Sequence, residues 1–300
     1  MLTTTKKPVN YLANKDILRE IHLSKNTYCS FTKPEYHQYD LIIDYNDNTN
    51  LNDNLEYTSR PETIKLAKEA RATRLDAEQG NAKGSTDPQS IPDTDLVFRV
   101  MTWDHIPVAP KPPKKTAKKK SARDIFEFDD AEDIFADLED DAPVNNVDDM
   151  VHVRVNFPPF QHFKFNAAGS LVCVGKSHWR GDIKTGEFER DGGQITNTLA
   201  KMYLKLCEKY STKWNWRGYS YNDEMRGSAI LQLTYVGLRF NEAKSNNPFA
   251  YFTAVLNNSF CRVLNTEKKS QSIRDDLMEY NNLAPSFTRQ FANEYKPPSE

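Results

Sequence analysis

Tyr251, Val255, Asn258, Arg262, Asn265 and Lys269 recur at intervals of three or four residues. A helix would therefore gather an aromatic, an aliphatic, two amides and two cations on one face. Such a face can stack on a splayed base, hydrogen-bond base edges and neutralise phosphates, which is the chemistry of single-stranded nucleic acid binding. Lys268 stands beside Lys269 as a further phosphate-directed cation. A plain solvated helix face has similar polarity, and at this point that reading stays open. No nucleophile–base pair or carboxylate pair has the spacing catalysis needs, so no enzymatic activity is expected.

The helix that must carry this face is well signalled. Asn247 is a good N-cap, and Pro248 takes the first helical position, where its missing N–H costs nothing. At about 100° per residue, Phe249, Phe252, Leu256, Phe260 and Val263 form a core-facing stripe on the opposite arc. Two further helices come before it. Leu199, Met202, Tyr203, Leu206, Cys207 and Tyr210 follow helical spacing. After an aromatic, glycine-ended turn from Trp214 to Gly218, Ser220 is the expected cap of the next helix, with Asp223 as the acidic half of a capping-box-like pair. That helix continues through Met225, Ala229, Leu233, Val236 and Phe240.

In order, the three segments read LAKMYLKLCEKY, YNDEMRGSAILQLTYVGLRFNEAKS and NPFAYFTAVLNNSFCRVLNTEKK. The series resembles region 2 of bacterial sigma factors. It is more closely similar to the late-transcription sigma factors of tailed phages, in which an Asp/Glu-Glu-Met pair, an Asn-Pro-Phe/His-Ala-Tyr helix start and a downstream Lys-Lys recur. The match covers Leu199 to Ser272, with a short N-terminal match at Val9 to Ile21 (VNYLANKDILREI), and leaves most of the chain outside it. The resemblance implies that Tyr251, Val255, Asn258, Arg262, Asn265, Lys268 and Lys269 face promoter DNA at an opened −10-like element. It also implies that Tyr221, Asp223, Glu224, Arg226 and Gln232 dock on the clamp helices of the polymerase β′ subunit. Primary sigma factors carry a tryptophan pair where this chain has Val255 and Leu256, and the phage late factors tend to lack it. No C-terminal helix-turn-helix for an upstream element is evident after Ser272.

Composition limits the rest. With 38% hydrophobic residues in 300 and a mean hydropathy of −0.74, the chain can bury a modest core only. No apolar run reaches membrane length, and MLTTTKKPVN has no apolar stretch of the signal-peptide kind. Cys29, Cys173, Cys207 and Cys261 are scattered and read as reduced thiols. The stretches 46–54, 80–92 and 111–120 are rich in Asn/Asp, Gly/Ser/Pro and Lys, which points to a linker. Within it, TIKLAKEARATRLDAEQ (Thr63 to Gln79) has a helical pattern whose charge-laced surface offers little to pack with. Between Ser121 and Asp141, acids alternate with Phe126, Phe128, Phe135 and Leu138 in the manner of docking peptides that order on binding, a solubility spacer being the alternative. Phage late sigma factors dock a similar segment on the polymerase β flap, and a late co-activator is another possible partner.

Residues 150–193 alternate at period two and contain turns near Gly169 and Gly186, so a module of three or four strands is expected there. Gly175-Lys176-Ser177 does not make a phosphate loop, because Gly169 and Gly175 enclose five residues and the motif needs four. The spacings of His152, His162, Cys173 and His178 match no familiar metal pattern, and neither metal nor cofactor is expected.

The expected fold is mainly α: a sigma region 2-like helical domain with a small β-rich insert and a long disordered linker. Its expected divisions are an N-terminal helical element (1–45), a mostly disordered linker (46–148), the β-rich module (149–193) and the helical domain (194–295). The expected function is a phage-encoded sigma-like factor that binds host core RNA polymerase in the cytoplasm of the infected bacterium and directs it to late promoters. A stand-alone DNA-binding regulator would need a second basic reading helix, and a virion interaction protein would leave the basic-aromatic face without a role.

Overall fold

Val97–Met101 is buried along its whole length, with Arg99 among the covered residues, so this short stretch must be a central strand rather than linker. The computed structural model describes residues 12–44, 60–82, 84–110 and 150–294. Its elements in chain order are α1 (Asn14–Asn26), β1 (Cys29–Phe31), β2 (Leu41–Asp44), α2 (Arg60–Gln79), β3 (Val97–Met101), β4 (Val108–Pro110), β5 (Met150–His152), β6 (Phe160–Phe165), β7 (Leu171–Ser177), β8 (Trp179–Arg180), β9 (Glu187–Phe188), α3 (Asn197–Ser211), α4 (Asn222–Val236), α5 (Pro248–Tyr280) and α6 (Phe287–Glu294).

Five strands form one mixed sheet in the order β1-β7-β6-β3-β2, with β2 and β3 parallel and the other pairs antiparallel. The β6–β7 hairpin turns where expected: Gly169 takes φ 78°, and Asn166 N–H donates to Ser170 O at 2.9 Å. Gly175 lies inside β7, where an added Cβ would fall 2.5 Å from Phe31 Cδ1, so glycine here lets Phe31 lie against the sheet. The expected mainly helical fold with a separate β insert is therefore corrected to mixed α/β. Three of the five strands come from residues before 110, and the β insert supplies only β6 and β7 of this sheet.

The expectation that the segment around Thr63 to Gln79 would find little to pack with is also corrected. Ala67 and Ala72 bring α2 close to one sheet face, where they meet Leu96, Phe98 and Phe165. The charged residues of the helix then find fixed partners at its borders. Arg74 lies 2.7 Å from Asp40, Lys68 lies 2.7 Å from Asp93, and Asp76 accepts N–H bonds from Gly84, Ser85 and Thr86. Linker composition here reflects polar anchoring around a small apolar seam.

On the other side, α1 packs against β1 and against the helices α3 and α5, burying Ile17, Ile21 and Lys25. The three later helices meet through Tyr203, Tyr210, Met225, Leu233, Phe252, Leu256 and Phe260. Tyr203 packs edge-on against Phe252 and Tyr210 against Phe260, each with ring centroids 5.1 Å apart. Past this core, α5 continues to Tyr280, and α6 folds back as Asp275 receives the Ser286 N–H at 2.8 Å and its hydroxyl at 2.7 Å. Leu277, Tyr280, Leu283, Phe287 and Phe291 on this terminal hairpin are exposed.

His105–Arg154 form a separate unit. In it β4 and β5 pair antiparallel, and Val153 N–H donates to Pro107 O at 3.0 Å. The lysine run and the acidic-aromatic segment with Phe126, Phe128, Phe135 and Leu138 lie outside the described residues.

Candidate nucleic-acid interface

The start of α5 is as its sequence signals. Asn247 Oδ1 accepts the Ala250 N–H at 3.1 Å, and Pro248 is the first helical residue. From there the helix lies against α3 on one side and α4 on another: Tyr210 Oη donates to Asn257 Oδ1 at 2.9 Å, and the Ser228 and Ser259 hydroxyls meet at 3.2 Å. Two neighbours make the buried arc wider than one stripe.

That width corrects part of the expected DNA face. Val255 is buried, and Tyr251 turns inward to pack on Phe240 at 5.6 Å and donate its hydroxyl to Val236 O at 2.9 Å. Burial pushes the Tyr251 phenol up to about 12, so it stays a protonated donor. Asn258, Arg262, Asn265, Lys268 and Lys269 remain exposed. Four of these, Asn258, Arg262, Asn265 and Lys269, line one open groove together with Cys261 and Thr266. Phe249, expected in the core stripe, is instead partly exposed, and its N–H bonds to Asn14 Oδ1 at 3.1 Å.

The expected polymerase-facing residues sit on α4. Asp223 and Glu224 project from its first turn into solvent, while Tyr221, Arg226 and Gln232 are half-buried. Arg226 pairs with Asp223 at 3.0 Å. Further along, Leu231 and Tyr235 are exposed one turn apart. Tyr221, not Ser220, is the N-cap, and no side chain caps this helix; instead Asn222 Nδ2 ties the preceding turn by donating to Ser211 O at 3.1 Å and Trp216 O at 3.0 Å.

What holds these helices against the sheet is a buried polar cluster that sequence reading missed. Lys25 Nζ donates to both carboxylate oxygens of Glu242 and to Phe240 O, each at 2.8 Å. Arg99 Nη1 lies 4.0 Å from Glu242, and its guanidinium stacks between the Tyr39 and Phe160 rings at 4.0 and 3.9 Å. Arg99 Nε donates to His162 Nε2 at 3.0 Å, while His162 Nδ1 faces Tyr36 O at 2.7 Å, so the proton belongs on Nδ1. Glu242 ends the Phe240-Asn241-Glu242 stretch that follows α4. Burial raises its carboxyl, but Lys25, Arg99 and His22 outweigh burial and hold it below the ordinary range. Burial lowers the Lys25 ammonium, and Glu242 offsets part of that effect.

This cluster makes stability depend on pH. Burial first, then Arg99, lowers His22 to about 3, and the same two causes hold His162 well below its usual value. Both imidazoles are therefore neutral in the fold and protonate near 6.5 only when it opens. The unfolded chain binds more protons throughout that window, so stability falls as pH drops from about 6.5 toward 3, by up to about 1.4 kcal/mol per pH unit for each histidine. Urea melts at pH 7, 6 and 5 check this. His22→Gln should flatten the dependence, and an unchanged slope in that variant would contradict it.

The remaining candidate ligands are dispersed. His178 stacks on Phe157 at 4.2 Å, Cys173 Sγ faces Gly175 O at 3.5 Å, and His152 Nδ1 faces Ile106 O at 3.2 Å. Among the described residues no cluster of three or more His, Cys, Asp or Glu is placed to hold a metal ion. No helix among them is long and apolar enough to cross a membrane. No family model, curated protein or solved structure matches the chain.

Proposed function

We propose that this chain is a phage-encoded sigma-type initiation factor that binds host core RNA polymerase and directs it to late promoters through an opened −10-like element. One observation carries the reading: α5 presents Asn258, Arg262, Asn265 and Lys269 around an open groove, with Lys268 beside it, on the helix whose Asn-Pro-Phe-Ala-Tyr start and Lys-Lys pair resemble the phage late factors. Amides can read base edges there and cations can hold the strand. On this reading the exposed face of α4 meets the β′ clamp helices. The chain has no catalytic role of its own and works through the polymerase.

Mixing the full chain with host core polymerase tests the proposal: the two co-elute on size exclusion, and the complex opens a late promoter in permanganate footprints. Separate elution at micromolar concentration would reject it. In the assembled complex, Lys268→Ala with Lys269→Ala weakens binding to all promoters about equally and lowers the salt slope by up to about 1.4, since each single-strand phosphate contact contributes about 0.7. Arg262→Ala instead reduces discrimination between the cognate element and its point variants. An unchanged salt slope in the double lysine variant would remove those residues from the interface.

A further inference from the structure

With Tyr251 turned into the core, α5 itself offers no exposed aromatic to its groove, yet the turn between α3 and α4 presents one. Trp214 is 84% exposed, whereas Trp216, two residues on, is 5% exposed and packed against Phe260 at 5.4 Å. The turn is firmly held. Trp216 N–H and Arg217 N–H both return to Lys213 O, at 2.9 and 3.0 Å, and Asn222 Nδ2 clamps Ser211 O and Trp216 O. The Trp214 indole is thus carried on a braced backbone and contributes little to the core.

The same turn packs on α5 through Trp216 and Phe260. Lys213 Nζ lies 4.1 Å above the Tyr210 ring, and the Tyr210 hydroxyl bonds Asn257 at 2.9 Å. Asn257 adjoins Asn258 in sequence and lies one helical turn before Cys261, and both of those residues line the groove. Arg217 in the same turn is exposed. A flat, accessible indole next to Lys213 and close in sequence to Arg217, on a turn that packs against the helix carrying Arg262 and Lys269, matches what an unpaired strand requires: a face for a base and cations for its phosphates.

Resting on the function proposed above, we propose that Trp214 is the base-stacking platform of this interface, with Lys213 as its adjoining phosphate contact. A base leaving the groove stacks on the indole, and the braced turn keeps the ordering cost of that contact small. Duplex DNA, whose bases are already stacked, gains little from it.

The test measures binding of the full chain to a fluorescein-labelled single-stranded oligonucleotide and to its duplex by anisotropy at low salt. Trp214→Ala should weaken single-strand binding by about 5- to 150-fold, the range that base stacking supplies. It should leave duplex binding, the circular dichroism melt and the salt slope unchanged. Trp214→Phe retains most of the affinity, and Lys213→Ala lowers the slope by about 0.7. Wild-type affinity in Trp214→Ala alongside loss in Arg262→Ala would overturn the platform and leave the α5 interface standing, as would a Phe variant no better than Ala. Absence of any binding by the wild-type chain would instead overturn the nucleic-acid reading of α5, and this inference with it.

Discussion

Replacing Glu242 by Ala is expected to lower the unfolding free energy by about 3 to 5 kcal/mol, because it leaves the Lys25 ammonium buried without a counter-charge. Lys25 is fully buried and makes three 2.8 Å contacts, of which Glu242 receives two. Lys25→Met should cost a similar amount by stranding the carboxylate, although Arg99 at 4.0 Å cushions it. The double variant Lys25→Met, Glu242→Leu should lose clearly less than the sum of the two, since no unpaired ion then remains from the pair. Urea melts followed by circular dichroism give the cycle. Single variants within about 1 kcal/mol of the parent would show that water reaches the cluster and that burial is not the governing term.

The second large effect concerns α4. Charge reversal by Asp223→Lys with Glu224→Lys should abolish co-elution with core polymerase while the far-ultraviolet spectrum stays unchanged. Both side chains are exposed in the first turn, where acids favour the helix dipole by about 0.3 to 1 kcal/mol each, so the fold should tolerate the change. At the proposed clamp interface the cost is larger, because on that reading the reversed charges meet a surface matched to acids. Exposed Leu231 and Tyr235 on the same helix offer apolar area for such a contact. If the reversed protein still co-elutes, the α4 assignment fails, and the proposed DNA contacts of α5 would have to be tested without it.

Much of the helical half was legible from local pattern. Asn247 caps α5, Phe252, Leu256 and Phe260 are buried as their spacing requires, and the turn at Gly169 joins two strands. Local pattern cannot count neighbours, however. A stripe assigns one buried face, and α5 has two flanking helices, so Tyr251 and Val255 were expected outside and lie inside. The sheet was not legible for a related reason. Its strands β1, β2 and β3 are only three to five residues long; β1 and β3 lie far in sequence from their partners β7 and β6, and β2 pairs with β3 across the whole of α2. Nor does alternation reveal that Arg99 and Lys25 are interior, since cations read as surface unless the opposing carboxylate and aromatic rings can be placed beside them. The candidate interface fared in between: Asn258, Arg262, Asn265 and Lys269 were found together, while the exposure of Trp214 depends on how its turn packs.

The long reach of the contacts around α1 also sets when the protein can mature. Lys25 meets Glu242 across 217 positions, and Ser24 accepts the Thr196 N–H across 172. A ribosome therefore delivers α1, β1 and β2 long before the residues that cover them. Until the corner after α4 has left the exit tunnel, Ile17 and Ile21 have no complete core to enter and Lys25 stays hydrated. Closure of so large a loop makes the final assembly slow compared with formation of the α3–α5 bundle, whose members are neighbours in sequence. Ribosome-bound chains halted before residue 242 should therefore hold the N-terminal helix open to protease, and release of the full chain should close it.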